Sequence, residues 1–450
     1  MAVTLPPEAW HAILLHLEAG RWQGKQSLKA FSLTSQLGCQ LARRHLFRRL
    51  KFTIGRASLW PNRNGTTLIR LLQNSPSISQ SIRALHLKYS HSSYEELPIP
   101  NLDMGQLLQI IAHLPNLRSF TTNMNSMLAV TTDAYAGLPC NLAELVIQFH
   151  GSNIWYAPCA APLLQLLSCF GTVGIFSLEF FPSSPCPCVP EQFDKGNVRT
   201  WDDHFSAVLA KHGMPIHIAV QSVDMTLVED DIKFLVLRAL RSSPSVDSLT
   251  SITIRLLRET DAAEWGKLLR LCTGLLNIKL SIFKYSFMIL KSPEERLEFW
   301  SDLHLSSCTT LRSVKFKDSI EITGSDTVSP IPNAWLDILS LAHPSSLEQL
   351  TMDLTFSAVP ARYGDHIDAQ KLFNDTAHGM DWARFRDILR RCTHLREFEF
   401  LATGWMQFVS FDFGWMEQCV EKELKHWLDE GVLKVTVKED LPDPLEEDTW

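Results

Sequence analysis

The side chains that could hold a metal ion or act as nucleophiles are scattered along this sequence. Cys186 and Cys188 form a Cys-x-Cys pair between prolines, and His204, His212 and His217 follow downstream. A tetrahedral zinc site would need two more ligands besides the two thiolates, and these histidines are candidates for them. The same pair also fits a rigid proline-rich loop with free thiols. We favour the loop, and we predict no metal ion.

Acidic pairs and a recurring cysteine are the other candidates for chemistry. Asp202–Asp203 and Asp230–Asp231 could bind a divalent cation through their carboxylates. They fit helix starts better, because the helix dipole favours negative charge there. Cys272, Cys308 and Cys392 each begin a similar short turn. Recurrence at one position of a repeat indicates buried packing, so we predict no nucleophilic role for these thiols.

Catalytic motifs with a known mechanism are absent from the sequence. It contains no G-x-x-x-x-G-K-[ST] phosphate loop, no G-x-G-x-x-G turn, no G-x-S-x-G elbow and no H-E-x-x-H zinc pair. The chain of 450 residues has 42 Lys and Arg against 49 Asp and Glu, a formal net charge of -7, which argues against a general nucleic-acid binder. We therefore expect no enzyme activity, no cofactor and no nucleic-acid partner.

The sequence shows neither a membrane span nor a secretory leader. No apolar run reaches about 18 residues, and the N-terminus runs directly into Pro6, Pro7 and Glu8. We expect no membrane contact and an intracellular location, in the cytoplasm or the nucleus. The 10 cysteines would then remain reduced.

Three short helices are predicted in the first fifty residues. Residues 5–17 read LPPEAWHAILLHL, and their apolar residues recur at helical spacing. A second apolar stretch opens with Leu28 and Phe31, and a third, basic helix follows from Leu41 to Leu50. Such a small unit buries little surface by itself and usually needs a partner, which favours an interaction module.

This segment, 5–50, resembles an F-box, especially the divergent kind found in many fungal proteins. Leu5, Pro6 and Glu8 match the start of the family pattern, and Ile13-Leu14-x-x-Leu17 matches its first helix. The second part of the pattern matches at Leu28, Phe31, Leu33 and Ser35, and the ARRHLF run of residues 42–47 matches its end. Gln36 and Leu37 depart from the pattern, because they replace the usual basic pair. The alternative interpretation is an ordinary helical cap on the region that follows.

The resemblance implies an F-box domain over residues 1–52 that binds a Skp-type adaptor and, through it, a cullin. The residues that it assigns to adaptor binding are Leu5, Pro6, Trp10, Ile13, Leu14, Leu17, Leu28 and Phe31.

A helix, a short turn and a strand recur through residues 66–440, and an acidic tail, 441–450, follows. The strand has the form apolar-x-x-apolar-x-apolar, and its clearest copies are Ile82-Leu85-Leu87, Leu142-Leu145-Ile147, Leu249-Ile252-Ile254, Leu275-Ile278-Leu280, Leu311-Val314-Phe316, Leu347-Leu350-Met352 and Leu395-Phe398-Phe400. Helix-turn-strand units in series predict an α/β fold with a parallel sheet and helices on its other side. The spacing is irregular, so we predict an irregular leucine-rich-repeat-like solenoid whose parallel sheet is concave.

The residues between the apolar strand positions should point away from the helices. Arg255, Lys279, Lys315 and Lys317 come from three successive strands and would form one basic patch. Such a patch attracts an anionic segment, so we predict that it binds an acidic or phosphorylated part of a protein substrate. The alternatives are a polar face without a ligand, and recognition by aromatic loop residues such as Trp405 and Trp415.

Together these features predict a substrate-recognition subunit of a Skp-cullin-F-box type ubiquitin ligase. The F-box would bind the adaptor, the solenoid would bind a protein substrate, and ubiquitin transfer would occur on other subunits. The alternative is a non-ligase interaction scaffold built on a repeat solenoid.

Overall fold

The computed structural model describes most of the predicted helices and strands. The described residues are 10, 12–14, 16, 21–54, 64–89, 102–123, 127–128, 140–150, 157–181, 217–227, 230–256, 259–282, 292–322, 331–358, 379–405 and 414–439. The chain divides into two compact units. The first contains Met1–Gln221 and Leu227–Leu235, and the second contains Ser222–Thr226 and Val236–Trp450.

The first unit begins with helices. Trp10 and the described residues near it are helical, and α1 (Arg21–Ser32) and α2 (Gln36–Leu46) follow and pack against each other. The predicted third helix was too long, because Arg49 and Leu50 lie in a strand, β1 (Arg49–Ile54). Apolar and polar residues alternate there, and the strand is held by pairing with a strand more than thirty residues later. The predicted domain boundary at residue 52 therefore falls inside β1.

The sheet of the first unit is parallel and follows the order of the chain. Its strands are β1, β2 (Ala84–Tyr89), β4 (Ser119–Asn123), β6 (Cys140–His150) and β7 (Phe170–Phe181). A separate short pair consists of β3 (Leu102–Asp103) and β5 (Met127–Leu128). The helices are α3 (Gly65–Asn74), α4 (Pro76–Ser79), α5 (Met104–Ala112) and α6 (Ala157–Ser168).

The second unit repeats this arrangement. The strand β8 (Ala219–Leu227) has residues in both units. The parallel strands that follow it are β9 (Ser251–Leu256), β10 (Asn277–Ile282), β11 (Ser313–Ile322), β12 (Gln349–Ala358), β13 (Glu397–Trp405) and β14 (Leu433–Glu439). The α-helices between them are α7 (Asp230–Arg241), α8 (Ser245–Ser248), α9 (Glu259–Leu269), α10 (Pro293–Ser301), α11 (Ile331–Leu341), α12 (Trp382–Arg391), α13 (Gly414–Glu423) and α14 (Lys425–Asp429). The predicted α/β class with a parallel sheet is confirmed.

One face of each strand packs against the helices. In the second unit the Phe316 ring of β11 stacks on Trp335 of α11 with 5.4 Å between the centroids, and Phe385 of α12 meets Phe398 of β13 edge to face at 5.6 Å. The apolar strand positions predicted from the sequence, among them Ile278, are buried in this layer, except Leu395, which is half-buried and precedes β13. The polar positions between them therefore face the opposite side of the sheet.

The recurring cysteines belong to the same core. Cys272, Cys308 and Cys392 are buried, as predicted, and burial raises the pKa of each thiol, to about 12, 11 and 11 respectively. A thiol that stays protonated at neutral pH is a poor nucleophile, which agrees with a packing role.

Candidate functional site

The residues assigned to adaptor binding differ in exposure. Leu5, Pro6 and Leu17 lie outside the described residues. The rest divide into core residues and surface residues: Leu14 and Leu28 are each 1% exposed, Ile13 is 42% exposed, and the half-buried rings of Trp10 and Phe31 meet with 5.1 Å between centroids. Leu14 and Leu28 therefore hold the helices together, while Ile13 faces solvent. Their role in adaptor binding stays a prediction.

The most exposed apolar residues of this region are one residue of the turn between α1 and α2 and one residue of the first turn of α2. Leu33 is 87% exposed and Leu37 is 60% exposed. We call these two residues the apolar turn. The resemblance matched Leu33 to the family pattern but gave it no binding role, and Leu37 is one of the positions that depart from the pattern. The sequence could not reveal their exposure, because apolar residues at helical spacing normally face a core.

Hydrogen bonds hold the apolar turn in one conformation. The backbone N–H of Leu33 donates to Ala30 O at 3.1 Å, and the Thr34 hydroxyl donates to Phe31 O at 2.8 Å. Ser35 caps α2, because its Oγ accepts from the backbone N–H of Gly38 at 2.9 Å. Such a cap pairs a backbone N–H that the helix itself leaves unpaired, and it stabilises the helix by about 1 kcal/mol. The two leucines are therefore presented by an ordered backbone.

Gly38 allows this turn to be tight. A Cβ atom at position 38 would lie 2.7 Å from Phe31 O and 3.0 Å from the Thr34 hydroxyl oxygen. Any larger residue would push the start of α2 away from the end of α1. The close approach of the two helices thus depends on a glycine three residues after the N-cap.

The basic patch predicted from the sequence lies on one face of the second unit's sheet. Lys279 of β10 is the register partner of Lys315 of β11, and Ser281 of β10 is the partner of Arg255. Lys317 has the same parity as Lys315, so its side chain leaves the same face. The structure therefore brings the four predicted residues to one side of neighbouring strands, opposite the buried row.

Two carboxylates approach these cations. Asp353 Oδ2 lies 3.7 Å from Lys315 Nζ and 3.9 Å from Lys317 Nζ. Burial lowers the pKa of Arg255, and the negative charge of Asp318 opposes that effect. The patch thus contains part of its own counter-charge, which weakens its attraction for an outside anion.

Asp318 is a buried carboxylate that accepts hydrogen bonds from several neighbouring donors. Trp335 Nε1 donates to its Oδ2 at 2.6 Å, Ser281 Oγ donates to its Oδ1 at 3.0 Å, and the backbone N–H of Ile282 also donates to Oδ1. Burial raises the pKa of Asp318 to about 6, although these hydrogen bonds and the charge of Arg255 favour the ionised form. The carboxylate joins β10, β11 and α11, which is a structural role.

The metal ligands considered from the sequence do not form a site within the described residues. Cys186, Cys188, His204 and His212 lie outside them, and His217 is exposed. Asp202–Asp203 also lies outside, whereas Asp230 begins α7 as predicted. The described part of the chain contains no group of three or more His, Cys, Asp and Glu that could hold a metal ion. None of the helices described there is both long enough and apolar enough to cross a membrane.

Comparison with known proteins gives no match: no family model matches this chain, and no curated protein matches it in sequence.

Proposed function

We propose that this chain is a substrate-recognition subunit of a Skp-cullin-F-box type ubiquitin ligase. In this proposal the N-terminal helices are an F-box that binds a Skp-type adaptor. The single observation that carries the proposal is the apolar turn, Leu33 and Leu37, which an ordered backbone presents to solvent. The resemblance of residues 5–50 to an F-box adds the identity of the partner.

The apolar turn supports docking because its exposure is unfavourable in the free chain. Fully burying a leucine side chain is worth about 1.5–3 kcal/mol relative to leaving it in water. Two neighbouring leucines at 87% and 60% exposure therefore offer a partner a substantial apolar contact. Ile13, in the described part of the first helix, is a third exposed apolar residue of this region. Leu33 and Leu37 are only four residues apart, and neighbouring exposed apolar side chains are typical of interaction sites.

The parallel repeats would supply the second contact, with a protein substrate. Each strand leaves polar side chains on the sheet face opposite the helices, and neighbouring strands lie about 4.8 Å apart. Such a face can contact an extended segment along several strands at once. The chain would then act by proximity, because holding the substrate raises its effective concentration near the ubiquitin-transferring subunits.

The experiment removes the apolar turn and leaves the fold intact. The double variant Leu33→Ser, Leu37→Ser is expected to bind a purified Skp-type adaptor about 100-fold more weakly than the wild type, since it loses two apolar contacts. Binding is measured by calorimetry or surface plasmon resonance. The matched control is Leu71→Ser, Leu271→Ser, which removes two leucines of 41% and 47% exposure elsewhere in the chain. We expect the control to bind like the wild type.

Undiminished adaptor binding by the Leu33, Leu37 variant would refute the docking site. Failure of the wild type to bind any Skp-type adaptor would refute the proposed function itself. Co-purification with a cullin separates the ligase subunit from the alternative, a non-ligase scaffold, which would retain the adaptor without the cullin. Both variants should unfold at the temperature of the wild type, because exposed side chains contribute little to stability.

A further inference from the structure

Two lysines and a histidine meet on the first unit's sheet, on β1 and β2. Lys51 is the register partner of His86, and Lys88 follows His86 by two residues on β2. All three leave the sheet on the face opposite the buried Leu85 and Leu87. Lys51 and Lys88 are exposed, and His86 between them is half-buried. We call Lys51, His86 and Lys88 the basic trio.

The lysine charges disfavour protonation of His86, and the charge of Lys51 disfavours protonation of Lys88. The pKa of His86 is lowered to about 4, first by burial and then by the charges of Lys88 and Lys51. The pKa of Lys88 is also lowered, first by burial and then by the charge of Lys51 and a hydrogen bond with it. In addition, His86 Nε2 is buried and has no hydrogen-bond partner among the residues that the structure describes. The free protein therefore maintains an unfavourable arrangement at this point.

No acidic residue of the neighbouring described strands offsets these charges. Arg49 adds a further positive charge on β1, and the β4 residue opposite His86 is Thr121, which is uncharged. The next acidic side chain on this face is Glu144 of β6, two strands from His86, and its Oε2 accepts from Ser119 Oγ at 2.7 Å. Arrangements of like charge without a nearby counter-charge attract anions from solution.

The trio differs in this respect from the basic patch of the second unit. There Lys315 and Lys317 share the carboxylate of Asp353, and Arg255 is offset by Asp318. Counter-charges within the patch compete with an incoming anion. The trio, in the described part of its surroundings, has no such competitor.

We propose that Lys51, His86 and Lys88 form a binding site for the phosphate group of a phosphorylated peptide. This deepens the proposed function and rests on it in one respect, that the sheet face of the repeats holds a protein segment. A phosphorylated serine or threonine carries a charge of about −1.5 to −2 and three acceptor oxygens. Two neighbouring ammonium groups match that charge, whereas a single carboxylate would compensate only one of them.

The shape of the surface favours a peptide over a free phosphate ion. Lys88 pairs with Thr53, which follows Arg49 by four residues on β1. The row of positive charge from Arg49 to Lys88 therefore extends about 13 Å along the strands. An extended peptide of about four residues has the same length. The phosphate would sit between Lys51 and Lys88, and an acidic residue of the peptide would lie beside Arg49.

The experiment uses the full chain without an adaptor and two kinds of probe. The first probe is N-acetyl-O-phosphoserine amide, titrated while the ring signals of His86 are followed by NMR. The second is a fluorescent heptapeptide with one phosphoserine between two aspartates, compared with its unphosphorylated form by anisotropy. We expect the phosphorylated peptide to bind at least about tenfold more tightly than the unphosphorylated one, and binding to weaken as salt is added. A bound dianion should also raise the pKa of His86 above its value of about 4 in the free protein, because it stabilises the imidazolium.

The variant Lys51→Gln, Lys88→Gln should bind the phosphopeptide about tenfold to a hundredfold more weakly, since it loses two charge-assisted hydrogen bonds. It should be at least as stable as the wild type, because repulsion is removed. The matched control Lys29→Gln, Arg70→Gln has the same net charge but changes exposed helix residues of the same unit. We expect the control to bind like the wild type.

Each of the following results would overturn the proposal. They are full binding by Lys51→Gln, Lys88→Gln; equal binding of the unphosphorylated peptide; loss of binding in Lys279→Gln, Lys315→Gln instead; and no shift of His86 with either phosphorylated probe. If the small probe binds as tightly as the peptide, the site contacts only a single phosphorylated residue and the peptide assignment is wrong. Adaptor binding does not enter these measurements, so failure here leaves the docking test at Leu33 and Leu37 unaffected.

Discussion

Replacing Gly266 by alanine should destabilise the second unit, although alanine is the better helix former. Gly266 lies in α9 and is buried. A Cβ atom added there would be 1.7 Å from the carbonyl oxygen of Asp302, 2.8 Å from its carbonyl carbon and 3.0 Å from His304 Cδ2. Two of these three atoms belong to the backbone that follows α10, so rotation of a side chain cannot relieve the overlap. The two neighbouring repeats must move apart.

The magnitude follows from two opposing effects. In a helix interior, alanine stabilises the helix by about 1 kcal/mol relative to glycine. Against this, a carbon and an oxygen approach in ordinary packing to about 3.3 Å, so the backbone must shift by roughly 1.5 Å. Forcing extra volume into a packed core costs about 1–3 kcal/mol and occasionally more, and this overlap lies at the severe end. We expect a net loss of about 2 kcal/mol, a fall of the melting temperature by about 4–8 °C for a unit of this size.

Thermal and urea unfolding followed by circular dichroism measure this loss. Gly105→Ala is the matched control, because Gly105 is also helical and its added Cβ would meet only Asp103 Oδ1, at 3.2 Å. The control should be as stable as the wild type or slightly more stable. If Gly266→Ala melts at or above the wild-type temperature, the helices are not in the close contact described above and the reasoning fails.

Two further predictions concern buried carboxylates of the second unit. Asp337 is fully buried and accepts hydrogen bonds from Arg384 Nη1 at 2.5 Å and from Arg296 Nε at 3.3 Å. The substitution Asp337→Asn should therefore lower the free energy of unfolding by about 2–3 kcal/mol. The loss is smaller than for a fully buried ion pair, because both arginines reach solvent. Asp387→Asn, at an exposed ion pair, is its control and should change the urea midpoint little. Asp318 holds its proton up to a pH of about 6, against about 3.9 in an unfolded chain, so the folded state binds more protons between these values. Wild-type stability relative to Asp318→Asn should therefore fall by about 2–3 kcal/mol as the pH rises from about 4 to about 7, and a difference that stays constant with pH would contradict the raised pKa.

The repeats could be predicted from the sequence because their signals are local. In β9 to β12 the buried residues alternate with polar ones, as at Ile252, Thr253 and Ile254, and an apolar helix precedes each strand. Period 2 and period 3.6 follow from backbone geometry alone. Parallel pairing then follows from the helical connections, since parallel strands need a crossover.

The strand β1 could not be predicted in this way. Its sequence continues the leucines of α2, from Leu46 to Leu50, so a local pattern favours one longer helix. The structure ends that helix at Leu46 and pairs Leu50 with Leu85. Pairing between residues far apart in sequence outweighs weak local preference, as strand formation commonly does. The same limit applies to the apolar turn, because spacing shows that Leu33 and Leu37 are apolar but not that they face water.

The error in β1 also explains why the basic patch was predicted on the second unit. Parity alone places Lys279, Lys315 and Lys317 on the polar face, and the structure agrees. Whether a cation is available to a ligand depends on the strand beside it, and the register that puts Asp353 next to Lys317 is set by tertiary pairing. Lys51 was assigned to no strand, so the sequence alone did not show that it lies beside Lys88. Charge composition thus indicates where cations lie, but only strand pairing decides which of them lack a counter-charge. The two lysine pairs provide a direct test, because phosphopeptide binding should follow Lys51 and Lys88 rather than Lys279 and Lys315.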